Sequence, residues 1–152
     1  MPTTKMPAWK MPSSDGGHVA SKDLKGSPYI LYFYPRDSTP GCTTEACDFR
    51  DNMARLTKAG VKVFGVSRDS LASHAKFIDK QSLNFPLLVD EGQVLMEKIG
   101  VWGLKKFMGR ESMGIIRSTF LVDGTGKIVR EWRKVKVKGH VDEVISAVAD
   151  LG

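Results

Sequence analysis

The 152-residue chain has only two cysteines, Cys42 and Cys47, and only three histidines, His18, His74 and His140. Two cysteines cannot build the multi-bridge framework of a small secreted domain. No Cys-x-x-Cys and no His-x₃-His pair is present, so a zinc site drawn from Cys42, Cys47 and a histidine is disfavoured. The missing Cys-x-x-Cys also counts against a dithiol reductase. No apolar run approaches the roughly 18 residues that a membrane span needs. Met1-Pro2-Thr3-Thr4-Lys5 leads into no apolar h-region, so no leader and a reducing, cytoplasmic location are expected. Repeats, low-complexity tracts and long linkers are lacking too.

What is present suits one globular domain over residues 1–152. The chain is long enough to bury a core without a metal or disulfide staple. It is 41% hydrophobic and 26% charged, with a mean hydropathy of −0.20, which is ordinary for such a domain. The formal net charge is +6 and the isoelectric point is near 9.4. The positive charge is spread out, except over Arg130–Lys138, where alternating apolar and charged residues fit a solvated strand face. Nucleic-acid binding is therefore not expected, and an anionic substrate or acidic partner suits the charge as well.

Residues 1–27 are rich in Pro, Gly, Ser and Lys, with Asp15-Gly16-Gly17 as a turn signal. They read as a short N-terminal hairpin or coil over the core. Tyr29–Tyr34 is a continuous aromatic and aliphatic run, the pattern of a strand buried on both faces. After Pro35 and a short loop, helical spacing of Ala46, Phe49, Met53 and Leu56 predicts one helix from Cys42 to about Lys58, stopped by Gly60. Strands are predicted over Val61–Val66, Leu87–Val89, Thr119–Val122 and Ile128–Trp132, with Asp123-Gly124-Thr125-Gly126 as a hairpin turn. Helices are predicted over Ser70–Gln81, Val94–Ile99 and about Val141–Leu151, and a glycine-dotted loop over Gly100–Ile116. A β-α-β core followed by β-β-α predicts an α/β, thioredoxin-like fold, with a central mixed sheet flanked by helices.

In such sheets, sites form beyond the carboxyl ends of the strands. Cys42 falls there, in the first turn of a helix with Thr39 as N-cap and Pro40 as first helical residue. A helix N-terminus favours a negative sulfur, and the thiolate is the nucleophile. The bland alternative is a small buried core cysteine, which the flanking Thr-Pro-Gly argues against. An N-capping Thr39 hydroxyl would lie near the sulfur, free to bond it or an oxygen of a bound substrate. Cys47 lies five residues on. In an intact helix the two Cα atoms would be about 8–9 Å apart and point apart, beyond the roughly 7 Å reach of a disulfide. Cys47 is either an inert core residue or a partner reached only when the first turn unwinds.

Pro35-x-x-x-Thr39-x-x-Cys42 has the form of the peroxiredoxin active-site motif. The longer string Leu31–Cys47, with Phe85-Pro86-Leu87-Leu88, Gly100-Val101-Trp102-Gly103, Lys105-Lys106-Phe107-Met108-Gly109 and Arg117-Ser118-Thr119-Phe120, resembles the Q-type subfamily, the bacterioferritin comigratory proteins. The resemblance runs from about Asp23 to Leu151 and departs at Ala8-Trp9-Lys10-Met11. It implies a thiol-dependent antioxidant peroxidase for hydrogen peroxide and organic hydroperoxides. Cys42 would be the peroxidatic cysteine and Cys47 the resolving one, joined in an intramolecular disulfide. Thr39 would hydrogen-bond the peroxide, Pro35 would shield the site, and Arg117 would favour the thiolate and orient the peroxide oxygens. Thioredoxin, or else glutaredoxin, would be the reductant, without metal, flavin or haem, and the protein would be a monomer or weak dimer. Glu45 could hold Arg117 or merely favour the helix start, and Trp102 and Met108 could line the cavity. The rivals are a thioredoxin-like disulfide reductase and a non-catalytic binding or holdase protein.

Overall fold

The computed structural model of the chain describes residues 5–107 and 109–151. Strand β3 (Tyr29–Phe33) lies at the centre of a five-stranded sheet and is buried throughout. On one side it pairs parallel with β4 (Lys62–Ser67), which pairs parallel with β5 (Leu87–Val89). On the other it pairs antiparallel with β8 (Ser118–Val122), which pairs antiparallel with β9 (Ile128–Arg133). The sheet is mixed, as expected for the thioredoxin-like fold.

The two-residue period of β3 divides the core. Ile30, Tyr32 and Tyr34 enter one apolar cluster and Tyr29, Leu31 and Phe33 the other. The first cluster receives α1 (Pro40–Asp51) through Cys42, Ala46 and Phe49, and α5 (His140–Ala149) through Val141, Val144 and Val148. The Tyr32 and Phe49 rings stack at 4.6 Å. Burying an aromatic side chain of this size contributes roughly 1.5–3 kcal/mol, so this contact fixes α1 on the sheet. Gly65 of β4 makes room for it, since a Cβ there would lie 2.8 Å from the Tyr32 ring.

The N-terminal hairpin is β1 (Lys10–Pro12) with β2 (His18–Ala20), turning at Gly16 and Gly17, both at positive φ. Trp9 is buried beside it and donates from Nε1 to the Tyr29 hydroxyl at 3.2 Å. Helix α3 (Leu71–Gln81) is capped by Ser70, whose hydroxyl accepts from the Ser73 N–H. Helix α4 (Val94–Ile99) ends at Gly100 in the left-handed conformation.

Three expectations need correcting. The helix predicted from Cys42 to Lys58 is two, α1 and α2 (Met53–Lys58), broken at Asn52. Asn52 donates its side-chain amide to the Asp48 carbonyl at 2.8 Å, which competes with continued helix. The Gly100–Ile116 loop is largely a hairpin, β6 (Trp102–Phe107) with β7 (Arg110–Ile115), paired over six residues a side. Among its described side chains only Ile115 is buried, and its sequence carries no clear apolar alternation. The basic segment Arg130–Lys138 is strand only to Arg133.

Candidate active site

The mixed topology builds the site. Antiparallel register sets Phe33 opposite Ser118, so Arg117 arrives at the carboxyl end of β3, where α1 begins. Thr39 is the N-cap residue and Pro40 opens the helix, which puts Cys42 third in α1. Its sulfur is buried. Arg117 donates from Nη2 to Cys42 Sγ at 3.1 Å and from Nη1 to Glu45 Oε1 at 2.6 Å. One planar guanidinium thus bridges the sulfur and a carboxylate, a geometry a lysine cannot copy. Gly41 leaves the passage open, since a Cβ there would come within 3.3 Å of Arg117 Nη2.

Glu45 is fully buried and its Oε2 has no protein partner. Burial pushes its carboxyl up to about 7, with Arg117 pulling partly the other way. Burial lowers Arg117, but Glu45 and Cys42 together outweigh it and hold the guanidinium above its ordinary value. Tyr32 is raised well above its ordinary value by burial, then by the nearby Glu45 and Cys42. His140, bonded to Thr119 Oγ1 at 2.7 Å, is lowered to about 4 by burial and by Arg117.

These shifts have opposite consequences for stability. Glu45 holds its proton longer when folded, so its contribution is complete below its ordinary 4.5 and is lost as pH rises to about 7. His140 is depressed, so its contribution is present above 6.5 and is lost as pH falls to about 4. In urea unfolding, the stability of the parent minus that of Glu45→Gln should therefore fall between pH 4.5 and 7. A difference independent of pH would contradict this.

Thr39 does not cap through its side chain. Its hydroxyl, expected near the sulfur and free to bond it or an oxygen of a bound substrate, donates to the Arg36 carbonyl at 2.9 Å. Its lone pairs remain free to accept an O–H. Pro35 lines an open cleft of about 610 Å³ with Arg36, Arg68, Trp102, Lys105 and Met113. Arg68 lies over the Trp102 ring at 4.7 Å. Met108 lies outside the described residues.

Both cysteines are free thiols. Cys47, half-buried in intact α1, donates to Gln81 Oε1 at 3.6 Å. Nearby, Arg50 donates from Nη1 to the Gln81 carbonyl at 2.6 Å.

The sequence reading missed the polar residues under the loop. Asp37, Asp69 and His74 converge closely enough to hold an ion, but each offers atoms already engaged in hydrogen bonds. The only sequence signal was a histidine within the apolar face of α3.

The AhpC/TSA family pattern matches residues 2–131. Peroxiredoxin Bcp of Bacillus subtilis is 49% identical over 147 residues, covering 97% of this chain and 94% of that protein. Peroxiredoxin Bcp of Escherichia coli K12 is 44% identical over 140 residues, covering 92% and 90%. Among solved structures, peroxiredoxin Q of Xanthomonas campestris superposes with a TM-score of 0.89 at 43% identity, covering 93% of this chain and 90% of that one.

Proposed function

The chain belongs to the AhpC/TSA family and is a thiol peroxidase of the peroxiredoxin Bcp or Q type, and from that premise we propose that Cys42 is its peroxide-reducing nucleophile. The observation that carries this reading is the 3.1 Å contact between Arg117 Nη2 and Cys42 Sγ in the first turn of α1. A fixed cation and a helix N-terminus both favour the thiolate.

The Cys42 thiolate attacks the nearer peroxide oxygen in line with the O–O bond. An S–O bond forms, the O–O bond breaks, and sulfur is oxidised by two electrons to the sulfenic acid. The departing oxygen takes a proton and leaves as water or alcohol. Arg117 and the backbone N–H groups of the first turn of α1 face the charge that develops on oxygen. Thr39, whose own hydrogen is held by the Arg36 carbonyl, accepts the O–H of the attacked oxygen. Pro35 walls the site on the cleft side. Organic hydroperoxides fit beside hydrogen peroxide, because the open cleft next to Pro35 has apolar as well as basic walls. A relative from X. campestris is described for its alkyl peroxide reduction activity.

Cys47 serves as the resolving thiol. With α1 intact the pair is held apart by helix geometry, so the first turn must unwind after oxidation. The Cys47 thiolate then attacks the Cys42 sulfenic sulfur, the disulfide forms and water leaves. A dithiol partner, thioredoxin or glutaredoxin, returns two electrons and two protons in the cytoplasm, with the enzyme acting as a monomer or weak dimer. The chemistry asks for no metal, flavin or haem.

Cys47→Ser tests the division of labour. One equivalent of peroxide should still oxidise Cys42 to the sulfenic acid, while turnover with thioredoxin and its reductase is lost. Normal cycling of that variant would remove Cys47 from the resolving role.

A further inference from the structure

The loop that carries Pro35 and Thr39 is irregular backbone, yet Thr39 has to meet a peroxide within hydrogen-bond distance. What holds it is a buried polar network reaching from the loop into α3 and β5. Asp37 Oδ1 accepts from the Tyr34 hydroxyl at 2.6 Å, and Oδ2 accepts from the Ser73 hydroxyl at 2.8 Å. His74 Nδ1 lies 2.7 Å from Asp37 Oδ2, and its Nε2 lies 2.9 Å from the Leu88 carbonyl. Both ring nitrogens are thus engaged in hydrogen bonds. His74 is 0% exposed and Asp37 7%. A buried carboxylate with three donors and a histidine bonded on both sides form a satisfied network, which rigidifies what it touches.

The same residue is held by its backbone. The Asp37 N–H donates to Asp69 Oδ2 at 2.7 Å, and that oxygen also takes the Ser67 hydroxyl at 2.8 Å. The Asp37 N–H and the Arg36 carbonyl belong to one peptide plane. Fixing the N–H therefore aims the carbonyl, and that carbonyl accepts the Thr39 hydroxyl. Ser38 takes a positive φ of 63° between the two, a conformation kept only where the surroundings impose it.

We propose that Asp37 and His74 are positioning residues for peroxide reduction, anchoring the loop so that the Arg36 carbonyl aims the Thr39 hydroxyl at the peroxide. The proposal rests on the reading of Cys42 and Thr39 as the peroxide site. Neither residue touches the reacting atoms. Asp37 lies in the loop before α1 and His74 in α3, so neither belongs to the first turn whose unwinding brings Cys47 to Cys42.

The test separates the two steps by stopped-flow kinetics, following oxidation of Cys42 by peroxide and then formation of the disulfide. His74→Leu keeps an apolar side chain of similar bulk but removes both hydrogen bonds. It should lower kcat/KM for peroxide about tenfold or more, since misplacement of about 1 Å can cost on the order of a hundredfold. Disulfide formation from the sulfenic acid should keep its rate. His74→Asn, which retains a donor towards Asp37, should recover most of the loss. If the histidine merely filled space, leucine would serve at least as well as asparagine, and that order of rates overturns the proposal. If His74→Leu does not fold, Tyr34→Phe removes one donor from Asp37 and should give a severalfold loss in the peroxide step. An unchanged rate in Tyr34→Phe then overturns the proposal. Cys42→Ser run beside these distinguishes the two failures. Activity surviving in Cys42→Ser sinks the underlying reading, whereas an inactive Cys42→Ser with normal rates in His74→Leu sinks this inference alone.

Discussion

Cys42→Ser should reduce peroxide consumption, driven by thioredoxin and its reductase, to the background rate. A serine hydroxyl is not ionised near neutral pH, and the group hydrogen-bonded to position 42 is a donor rather than a base. The neighbours are a guanidinium that only donates, at 3.1 Å, and a Glu45 carboxylate already committed to that guanidinium at 2.6 Å. Losing the nucleophile itself should cost at least about a thousandfold, as removal of a nucleophile does elsewhere. The substitution is nearly isosteric, so the fold should survive and the far-ultraviolet circular dichroism should match the parent. Retained turnover would sink the assignment of Cys42.

Arg117→Gln should give the next largest loss, with two separable parts. The first is chemical. The guanidinium faces the position where negative charge sits before and during attack, and removing such a group costs about 10²–10³ in rate. The second is structural. Glu45 would be left buried without its cation and would have to take up a proton or stay unpaired, which destabilises the fold most at high pH. The double variant Arg117→Gln with Glu45→Gln distinguishes them. Neutralising Glu45 should restore much of the stability measured in urea and little of kcat/KM for peroxide. A double variant that regains the parent's rate would show that Arg117 serves the fold rather than the reaction. Arg117→Lys should fall between, because an ammonium is a point charge that cannot bridge Sγ and Oε1 with a fixed fork.

Local patterns in the sequence carried much of this site. An aromatic run, a proline and a Thr-Pro-Gly-Cys string put Cys42 in the first turn of a helix, because strand burial and helix entry depend on neighbouring residues. Arg117 was different. Nothing local brings it to Cys42, 75 residues away. The antiparallel register of β8 on β3 does that, and strand pairing is a tertiary fact. Asp37, Ser73 and His74 were illegible for a related reason. Asp37 looks like a loop acid and His74 like one member of an amphipathic face until α3 packs against the loop. The β6–β7 hairpin was read as loop because its exposed lysines, Glu111 and Ser112 leave no buried alternation to detect. The break at Asn52 was missed because its cause is a single side-chain bond to Asp48, and the apolar spacing runs through it undisturbed.

Trapping the oxidised sulfur is the sharpest test of Cys42 as the peroxide-reducing nucleophile. Cys47→Ser is treated with one equivalent of peroxide in the presence of a sulfenic-acid-specific carbon nucleophile, and intact and peptide masses are measured. One adduct per chain is expected, on Cys42, forming at the rate of peroxide consumption and absent when Arg117→Gln is added on the same timescale. Peroxide consumed with no adduct on Cys42 would contradict that role.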